Sequence, residues 1–270
     1  MLAKLLSRIF PVREDLTGFR RLIALSIGGI RINYGNLILK VYPISLLDRF
    51  VIAGININPF FVSAVRQYAH NKIVIDIGAN HGVLSLLAVR NGAGHCIAFE
   101  PSLRECAKLT DNIRLNSVDN ITLINAGLAE RHPSLEDFFL NEESNPGKNS
   151  FYMKNTKNCV KRKSLLTSFD IFFSDSVFLS DVRVVKIDCE GFEINVLRGM
   201  VNSIEKMSEA VFVVEMGPLN ESSSNAIYEW FLSKGFEAVY GEKNLACVDM
   251  EEVFFNPKKQ PRPVFSANLT

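Results

Sequence analysis

Stretches of apolar residues alternate with polar ones from about residue 72 onward. Ile73–Ile77 is an almost continuous, β-branched apolar run, which is typical of a strand buried on both faces. Later segments switch between such runs and apolar residues spaced three or four apart, the spacing of a helix with one buried side. The predicted strands are 73–77, 96–99, 121–124, 182–187, 210–215, 236–240 and 246–255, and the predicted helices are 82–91, 102–116, 192–204 and 224–234.

Strands and helices that alternate with short links predict an α/β, Rossmann-like fold. We expect a mostly parallel seven-stranded sheet with helices on both faces, in which the last two strands pair as an antiparallel C-terminal hairpin. Ligands of such sheets bind beyond the carboxyl ends of the strands. Candidate functional residues are therefore sought where the strands end.

The pattern divides the chain into a core at 71–256 and its additions. Residues 1–70 are predicted to be an N-terminal extension, a candidate acceptor-binding or membrane-surface element. Residues 130–165 are polar and predict a loop or hairpin insertion into the core. Residues 257–270 carry three prolines and predict a loosely ordered tail.

Within the extension, 31–58 suggests short strands broken by Pro43 and Gly54, and a helix is predicted over 59–68. The apolar run 22–30 is far shorter than the roughly 20 residues that a transmembrane helix needs. We therefore expect a packed N-terminal helix and no membrane span, with peripheral membrane contact as the alternative.

Composition narrows the class of protein. A formal net charge of +1 offers no general attraction for polyanions, which disfavours nucleic acid as a partner. The five cysteines are widely spaced without a Cys-x-x-Cys pair, so neither a disulfide framework nor a zinc site is indicated, and reduced thiols in the cytoplasm are expected. These cysteines are Cys96, Cys106, Cys159, Cys189 and Cys247.

The first core strand ends in Asp76-x-Gly78-x-Asn80-x-Gly82. The glycines permit a tight turn, a close approach by a ligand and an early start of the next helix. Dinucleotide-binding folds have a glycine where Asp76 stands. A carboxylate there repels a pyrophosphate and suits a cationic ligand, which favours S-adenosylmethionine over a nicotinamide dinucleotide. A glycine-rich turn that binds no ligand is the structural alternative.

The next two strand ends supply further candidates for the cofactor. The second strand ends in Phe99-Glu100-Pro101, and Glu100 lies 24 residues after Asp76, close to the separation at which an acidic residue hydrogen-bonds ribose hydroxyls. The third strand ends in Asn125, whose side chain is placed to reach the edge of adenine.

A cluster of carboxylates follows the fourth predicted strand. Asp188, Glu190 and Glu193 lie within six residues at the same sheet edge, and Glu215 ends the fifth strand. A hydroxyl that accepts a methyl group must lose a proton, so a carboxylate base or a carboxylate-held metal is expected. The structural alternative is helix capping by these side chains. His81, beside the cofactor turn, is either a base or a surface histidine at a helix start.

These motifs together resemble the FkbM family of methyltransferases. The residues that carry the resemblance are Asp-Ile-Gly-Ala-Asn-His-Gly at 76–82, Phe-Glu-Pro at 99–101, Asn116, Asn-Ala at 125–126, Ser-Phe-Asp at 168–170, Lys-Ile-Asp-Cys-Glu-Gly-Phe-Glu at 186–193 and Leu-Arg-Gly at 197–199. The resemblance covers about residues 50–215. Gly127 stands where a second Ala is usual, and Phe169 where Leu is usual.

The resemblance implies a class I methyltransferase fold, S-adenosylmethionine as cofactor and O-methylation, often of sugars or of polyketide-like and lipid-like products. It leaves choice of the acceptor to 1–49 and 130–165, and assigns neither a metal nor an oligomeric state. Two other classes of function remain as alternatives: a catalytically silent Rossmann-like scaffold, and an oxidoreductase, which the absence of Gly-x-Gly-x-x-Gly disfavours.

Overall fold

A computed structural model describes residues 2–11, 29–141, 149–152, 159–173, 175–216, 221–240 and 251–257. The helices are α1 (Leu2–Ile9), α2 (Leu46–Ala53), α3 (Pro59–Tyr68), α4 (Val83–Arg90), α5 (Leu103–Leu115), α6 (Phe169–Phe173), α7 (Glu193–Arg198), α8 (Ser203–Lys206) and α9 (Glu221–Ser233). The strands are β1 (Ile30–Tyr34), β2 (Leu37–Val41), β3 (Ile73–Ile77), β4 (His95–Phe99), β5 (Ile121–Ile124), β6 (Gly127–Leu128), β7 (Ser134–Asn141), β8 (Cys159–Thr167), β9 (Val182–Ile187), β10 (Val211–Met216), β11 (Phe236–Tyr240) and β12 (Glu251–Pro257).

The central sheet has the strand order β11-β12-β10-β9-β3-β4-β5. Five neighbouring strands, from β10 to β5, are parallel, and β12 runs antiparallel to both β10 and β11. The predicted mostly parallel sheet is therefore confirmed. Its last strand runs over Glu251–Pro257 rather than 246–255, and residues 241–250 lie outside the described part of the chain.

Both faces of the sheet are covered by helices. Alternate residues of β3 point to opposite sides, so Ile75 and Ile77 join a core with α6, α7, α8 and α9, whereas Val74 packs with α3 and α4. Strand order changes direction between β3 and β9, so the carboxyl ends of these two strands flank the crevice where ligands of open α/β sheets bind.

The N-terminal part of the chain forms a third layer on α4. Leu6 and Phe10, at the end of α1, are buried with β2 and α2 against Val83 and Leu86. α1 is thus a packed helix, while the apolar run 22–30 lies almost wholly outside the described residues. No helix in the described ranges is both long and apolar enough to cross a membrane.

The prediction of strands throughout 31–58 is wrong for its second half, because α2 occupies 46–53. Ser45 caps this helix by accepting a hydrogen bond from the Asp48 amide, and Gly54 ends it in the left-handed conformation with φ 71°. Ser45 and Gly54 are ordinary signals for the start and the end of a helix, but the apolar residues between them resemble those of a strand.

The predicted helix 192–204 is two short helices. α7 ends at Gly199, where a Cβ would lie 2.5 Å from the carbonyl oxygen of Ala129, and α8 begins at Ser203. The close approach of the Ala129 backbone leaves no room for a side chain at position 199.

Within 130–165, β7 and β8 pair in antiparallel register from Ser134↔Leu166 to Asn141↔Cys159 and form a separate sheet with β6. The short helix α6 was not predicted. The four described cysteines are free thiols, and Cys247 lies outside the described residues.

Candidate active site

Asp76 lies behind the turn that follows β3. Its side chain is completely buried, with one carboxylate oxygen accepting a hydrogen bond from Ser85 Oγ at 2.6 Å and the other 3.4 Å from Lys186 Nζ. The expectation that this carboxylate meets a cationic ligand is not met by the geometry, because its charge is already balanced by a buried lysine. Asp76 instead anchors the turn to β9.

Two glycines bring neighbouring chain segments close to this turn. A Cβ on Gly78 would lie 1.8 Å from the backbone carbonyl oxygen of Asp188, and a Cβ on Gly82 would lie 2.5 Å from Leu109 Cγ on α5. Both have positive φ, 79° and 84°. The side of Gly78 on which a Cβ would stand is thus taken by the backbone of Asp188, which follows β9, and Gly82 lets α4 start against α5.

Glu100 holds the turn from the side of β4. Its Oε2 accepts a hydrogen bond from the Asn80 amide at 2.8 Å, and its Oε1 accepts one from the Ser102 amide at 2.7 Å. The backbone of Asn80 is in the left-handed conformation, with φ 52°. Burial raises the pKa of Glu100 to about 7, against the lowering effect of the two amides.

Asn125 and Pro101 lie beside Glu100 at the same edge. Asn125 Nδ2 donates to the carbonyl oxygens of Glu100 and Pro101, at 2.8 and 3.2 Å. Ser164 of β8 donates to the Pro101 carbonyl at 2.7 Å. The Asn125 nitrogen is therefore engaged within the chain, and a ligand's donor group would meet its amide oxygen.

Lys186 sits at the centre of a buried charge cluster. Its Nζ donates to the Gly78 carbonyl at 3.1 Å and lies 3.2 Å from Asp188 Oδ2. Burial alone lowers the pKa of Lys186, but the carboxylates of Asp188 and Asp76 raise it above its ordinary value. The lysine is therefore charged and joins the ends of β3 and β9.

Asp188 and Glu215 form a carboxylate pair at the ends of β9 and β10. Burial raises the pKa of Asp188, but the charge of Lys186 and a hydrogen bond with Glu215 bring it below its ordinary value. Burial and the neighbouring Asp188 raise the pKa of Glu215. Of the two carboxyl groups, Glu215 therefore holds a proton more tightly, and Asp188, whose side chain is 33% exposed, ionises first.

The other two predicted catalytic carboxylates are arranged differently. Glu193 is buried and its Oε1 accepts hydrogen bonds from the amides of Cys189 and Gly191, at 3.0 and 2.9 Å. Burial raises its pKa, against the amides. Glu190 is left-handed (φ 54°), as is Gly191 after it, so the loop turns sharply here. In the described residues, no three His, Cys, Asp or Glu side chains converge as a metal site.

His81 is neither exposed nor open to a substrate. Its Nε2 lies 2.6 Å from Asp48 Oδ1 in α2, and its side chain is 2% exposed. The prediction of a surface histidine is wrong, because α2 covers it. Lys186 was not among the predicted site residues, although a lysine within the apolar run 182–187 indicates a buried carboxylate partner. Nothing in the sequence pairs His81 with Asp48.

A cluster of aromatic side chains lies against the loop after β9. Phe151 lies 4.8 Å from Phe138 and 5.5 Å from Phe192 between ring centroids, and Tyr152 lies 4.9 Å from Phe192. Ser150 Oγ contacts the Glu190 carbonyl at 3.4 Å. Residues 150–152 of the insertion therefore contact the loop after β9.

The mostly parallel sheet, with the 76–82 turn and acidic strand ends at one edge, has the architecture of a class I methyltransferase. The Methyltransferase FkbM domain model matches residues 76–238, more than half of the chain. The chain belongs to the FkbM family of methyltransferases, and its cofactor is S-adenosylmethionine.

Individual relatives are distant. "Methyltransferase 1" of Beauveria bassiana (strain ARSEF 2860) is 25% identical over 154 residues, which cover 50% of this chain and 61% of that protein. The crystal structure of methyltransferase FkbM from Methylobacillus flagellatus KT shares 13% identity with a TM-score of 0.49, covering 77% of this chain and 52% of that one. SMU.1697c of Streptococcus mutans, a putative methyltransferase in complex with SAH, shares 12% identity with a TM-score of 0.43, covering 73% and 94%.

Proposed function

We propose that the protein transfers a methyl group to a hydroxyl of a glycan, a lipid or a small natural product, with Asp188 receiving the hydroxyl proton. The observation that carries this proposal is an ionised, one-third exposed carboxylate beside the cofactor turn. Asp188's backbone fills the space next to Gly78, so its side chain lies at the edge where cofactor and acceptor must meet.

The residues present fit S-adenosylmethionine, which supplies an electrophilic methyl group when bound. The Glu100 carboxylate has about four lone-pair sites and gives two to backbone amides, so it can also accept from ribose hydroxyls. Asn80 and Gly78 would lie against the cofactor through their backbone, and the Asn125 oxygen would accept from an adenine amino group. A cationic sulfonium would be attracted by Asp188 rather than by Asp76.

In this proposal each chain residue has a separate task. Asp188 accepts a hydrogen bond from the acceptor hydroxyl and takes its proton as the oxygen attacks. Lys186 favours the ionised form of Asp188, and the hydrogen bond between Asp188 and Glu215 orients the Asp188 carboxylate. Glu193 is a positioning residue, because its carboxylate holds the Cys189 and Gly191 amides.

The insertion is proposed to form the acceptor side of the site. Tyr152 is 45% exposed, packs edge-on against Phe192, and its hydroxyl accepts from Asn195 at 2.8 Å. The exposed part of the Tyr152 ring can pack against the apolar face of a sugar ring or against a lipid chain. We infer that residues 1–70 and the tail, 257–270, are additions to a core over 71–256, and that the protein acts in the cytoplasm.

The proposal is tested by incubating the protein with S-adenosylmethionine carrying a tritiated methyl group and separated pools of glycans, lipids, metabolites and RNA from the source cell. We expect label in a glycan, lipid or metabolite as a base-stable ether. Label that base releases as methanol would indicate an ester and contradict hydroxyl methylation. Transfer only to RNA would contradict the acceptor class.

Glu100→Gln should weaken the binding of S-adenosylhomocysteine by about tenfold, because an ionised acceptor of ribose hydroxyls becomes a neutral amide. Since the pKa of Glu100 is about 7, the affinity of the wild type should fall as pH drops from 8 to 6. Titration calorimetry across this range should show a flat profile for the variant. A pH dependence equal to that of the wild type would exclude Glu100 as its source.

A further inference from the structure

A buried ion pair joins the N-terminal layer to the cofactor turn. Asn80 Oδ1 accepts hydrogen bonds from the backbone amide of His81, at 2.9 Å, and from His81 Nδ1, at 3.1 Å. Because the backbone amide can only donate, the facing Asn80 atom is an oxygen and His81 Nδ1 must carry a hydrogen. Nε2 faces the Asp48 carboxylate at 2.6 Å. A hydrogen on Nδ1 together with a carboxylate 2.6 Å from Nε2 favours the imidazolium form of His81.

The surrounding charges agree with this state. Burial lowers the pKa of His81, but the carboxylate of Asp48, with a smaller contribution from Glu105, outweighs both burial and the charge of Lys108 and raises the pKa above its ordinary value. Asp48 is itself oriented by the Tyr42 amide, which donates to its Oδ2 at 2.7 Å. The pair is thus held from both sides.

We propose that Asp48 is a positioning residue for S-adenosylmethionine, acting through His81 on Asn80. The side-chain oxygen of Asn80 is hydrogen-bonded to the His81 ring, and the backbone amide of Asn80 donates to Glu100 Oε2. The ion pair therefore fixes Asn80, whose backbone is left-handed, at the centre of the turn. A residue of the N-terminal layer thereby becomes part of the cofactor site. This inference needs only the cofactor and is independent of which acceptor is methylated.

A second link supports the same role for the N-terminal layer. Asn112 of α5 donates to the His81 carbonyl at 3.0 Å and accepts from the Lys40 amide of β2 at 2.7 Å. Backbone and ring of His81 are therefore both tied to the N-terminal layer. Only the ring link is charged, so only that link should depend on pH.

The test compares Asp48→Asn with Asp111→Asn by calorimetry with S-adenosylhomocysteine and no acceptor. Asp111 pairs with Lys40 at 2.9 Å across the same interface without touching His81, which makes it a matched control. We expect affinity to fall about tenfold for Asp48→Asn and to be unchanged for Asp111→Asn.

The pH profile separates positioning from general stability. His81's raised pKa means that the pair is fully formed below about pH 6.5 and is lost as pH rises through the raised value. The affinity of the wild type for S-adenosylhomocysteine should therefore decline as pH rises, and this decline should begin at a higher pH than in Asp48→Asn. Equal affinities and profiles for the two proteins would overturn the proposal, even if Asp48→Asn melts at a lower temperature.

If Asp48→Asn does not fold, the neutral double variant Asp48→Asn/His81→Gln replaces it, since it buries no unpaired charge. Wild-type affinity in a folded double variant would likewise overturn the proposal, and a tenfold loss would support it. Because no acceptor is present, failure of hydroxyl methylation cannot produce either result.

Discussion

Asp188→Asn is expected to lower kcat for methyl transfer by about 10²- to 10⁴-fold, the usual range for loss of a positioned base. Binding of S-adenosylhomocysteine should change far less, because Asp188 contacts the turn through its backbone carbonyl beside Gly78, which the substitution leaves in place. The asparagine also keeps the shape of the side chain next to Lys186. Calorimetry and single-turnover kinetics with an identified acceptor measure the two quantities separately.

Asp119→Asn is the matched control, because Asp119 is exposed just before β5, at the opposite end of that strand from Asn125. It should leave both affinity and kcat unchanged. If Asp188→Asn lost affinity and kcat in equal proportion, or lost the folded state, the carboxylate would be structural. A role as base would then have to pass to Glu190 or Glu215.

Lys186→Met is expected to reduce the free energy of unfolding by about 3–5 kcal/mol, the cost of leaving a buried partner charge uncompensated. The substitution keeps a long unbranched side chain but removes the cation that faces Asp76, Asp188 and the Gly78 carbonyl. Asp76, which is fully buried, would retain only its hydrogen bond from Ser85. Urea unfolding followed by circular dichroism provides the measurement.

Lys72→Met is the control, because it removes a lysine from an ion pair at the protein surface. Lys72 pairs with Asp181 at 2.5 Å, but both side chains are substantially exposed, so its loss should cost only about 0–1 kcal/mol. Similar losses for the two variants would show that Lys186 contributes no more than an ordinary surface pair. The double variant Lys186→Met/Asp76→Asn should recover part of the stability, because the buried charge is removed with its partner.

The central sheet was predictable because its strands carry local signals. Buried runs such as Ile73–Ile77 and Val182–Ile187 need few distant contacts to be identified. The close contact at Gly199 could not be predicted, because the carbonyl oxygen of Ala129 is 70 residues away in the chain. α2 was missed for a different reason: Ser45 and Gly54 signalled its ends, but the apolar pattern between them was interpreted as strand.

Location of the site was predictable from strand ends, since parallel strands bring their carboxyl ends to one edge. Roles of individual side chains were less so. Asp76 and Glu193 are both acidic residues at that edge, yet one is turned inward to Lys186 and the other to backbone amides. The direction in which each side chain points depends on packing between distant parts of the chain, which the spacing of residues in the sequence does not show. The assignment of Asp188 as the base stays a prediction.

The edge of β2 is completed by a helix rather than by another strand. Asn116 accepts from the Ile38 amide and donates to the Ile38 carbonyl, while Asn112 accepts from the Lys40 amide, bonds that span 78 and 72 residues. A two-stranded hairpin is marginally stable by itself. Although β1 and β2 precede α5 in the chain, their outer edge can be satisfied only after residue 116 has been made, so the hairpin cannot be completed before α5 is available.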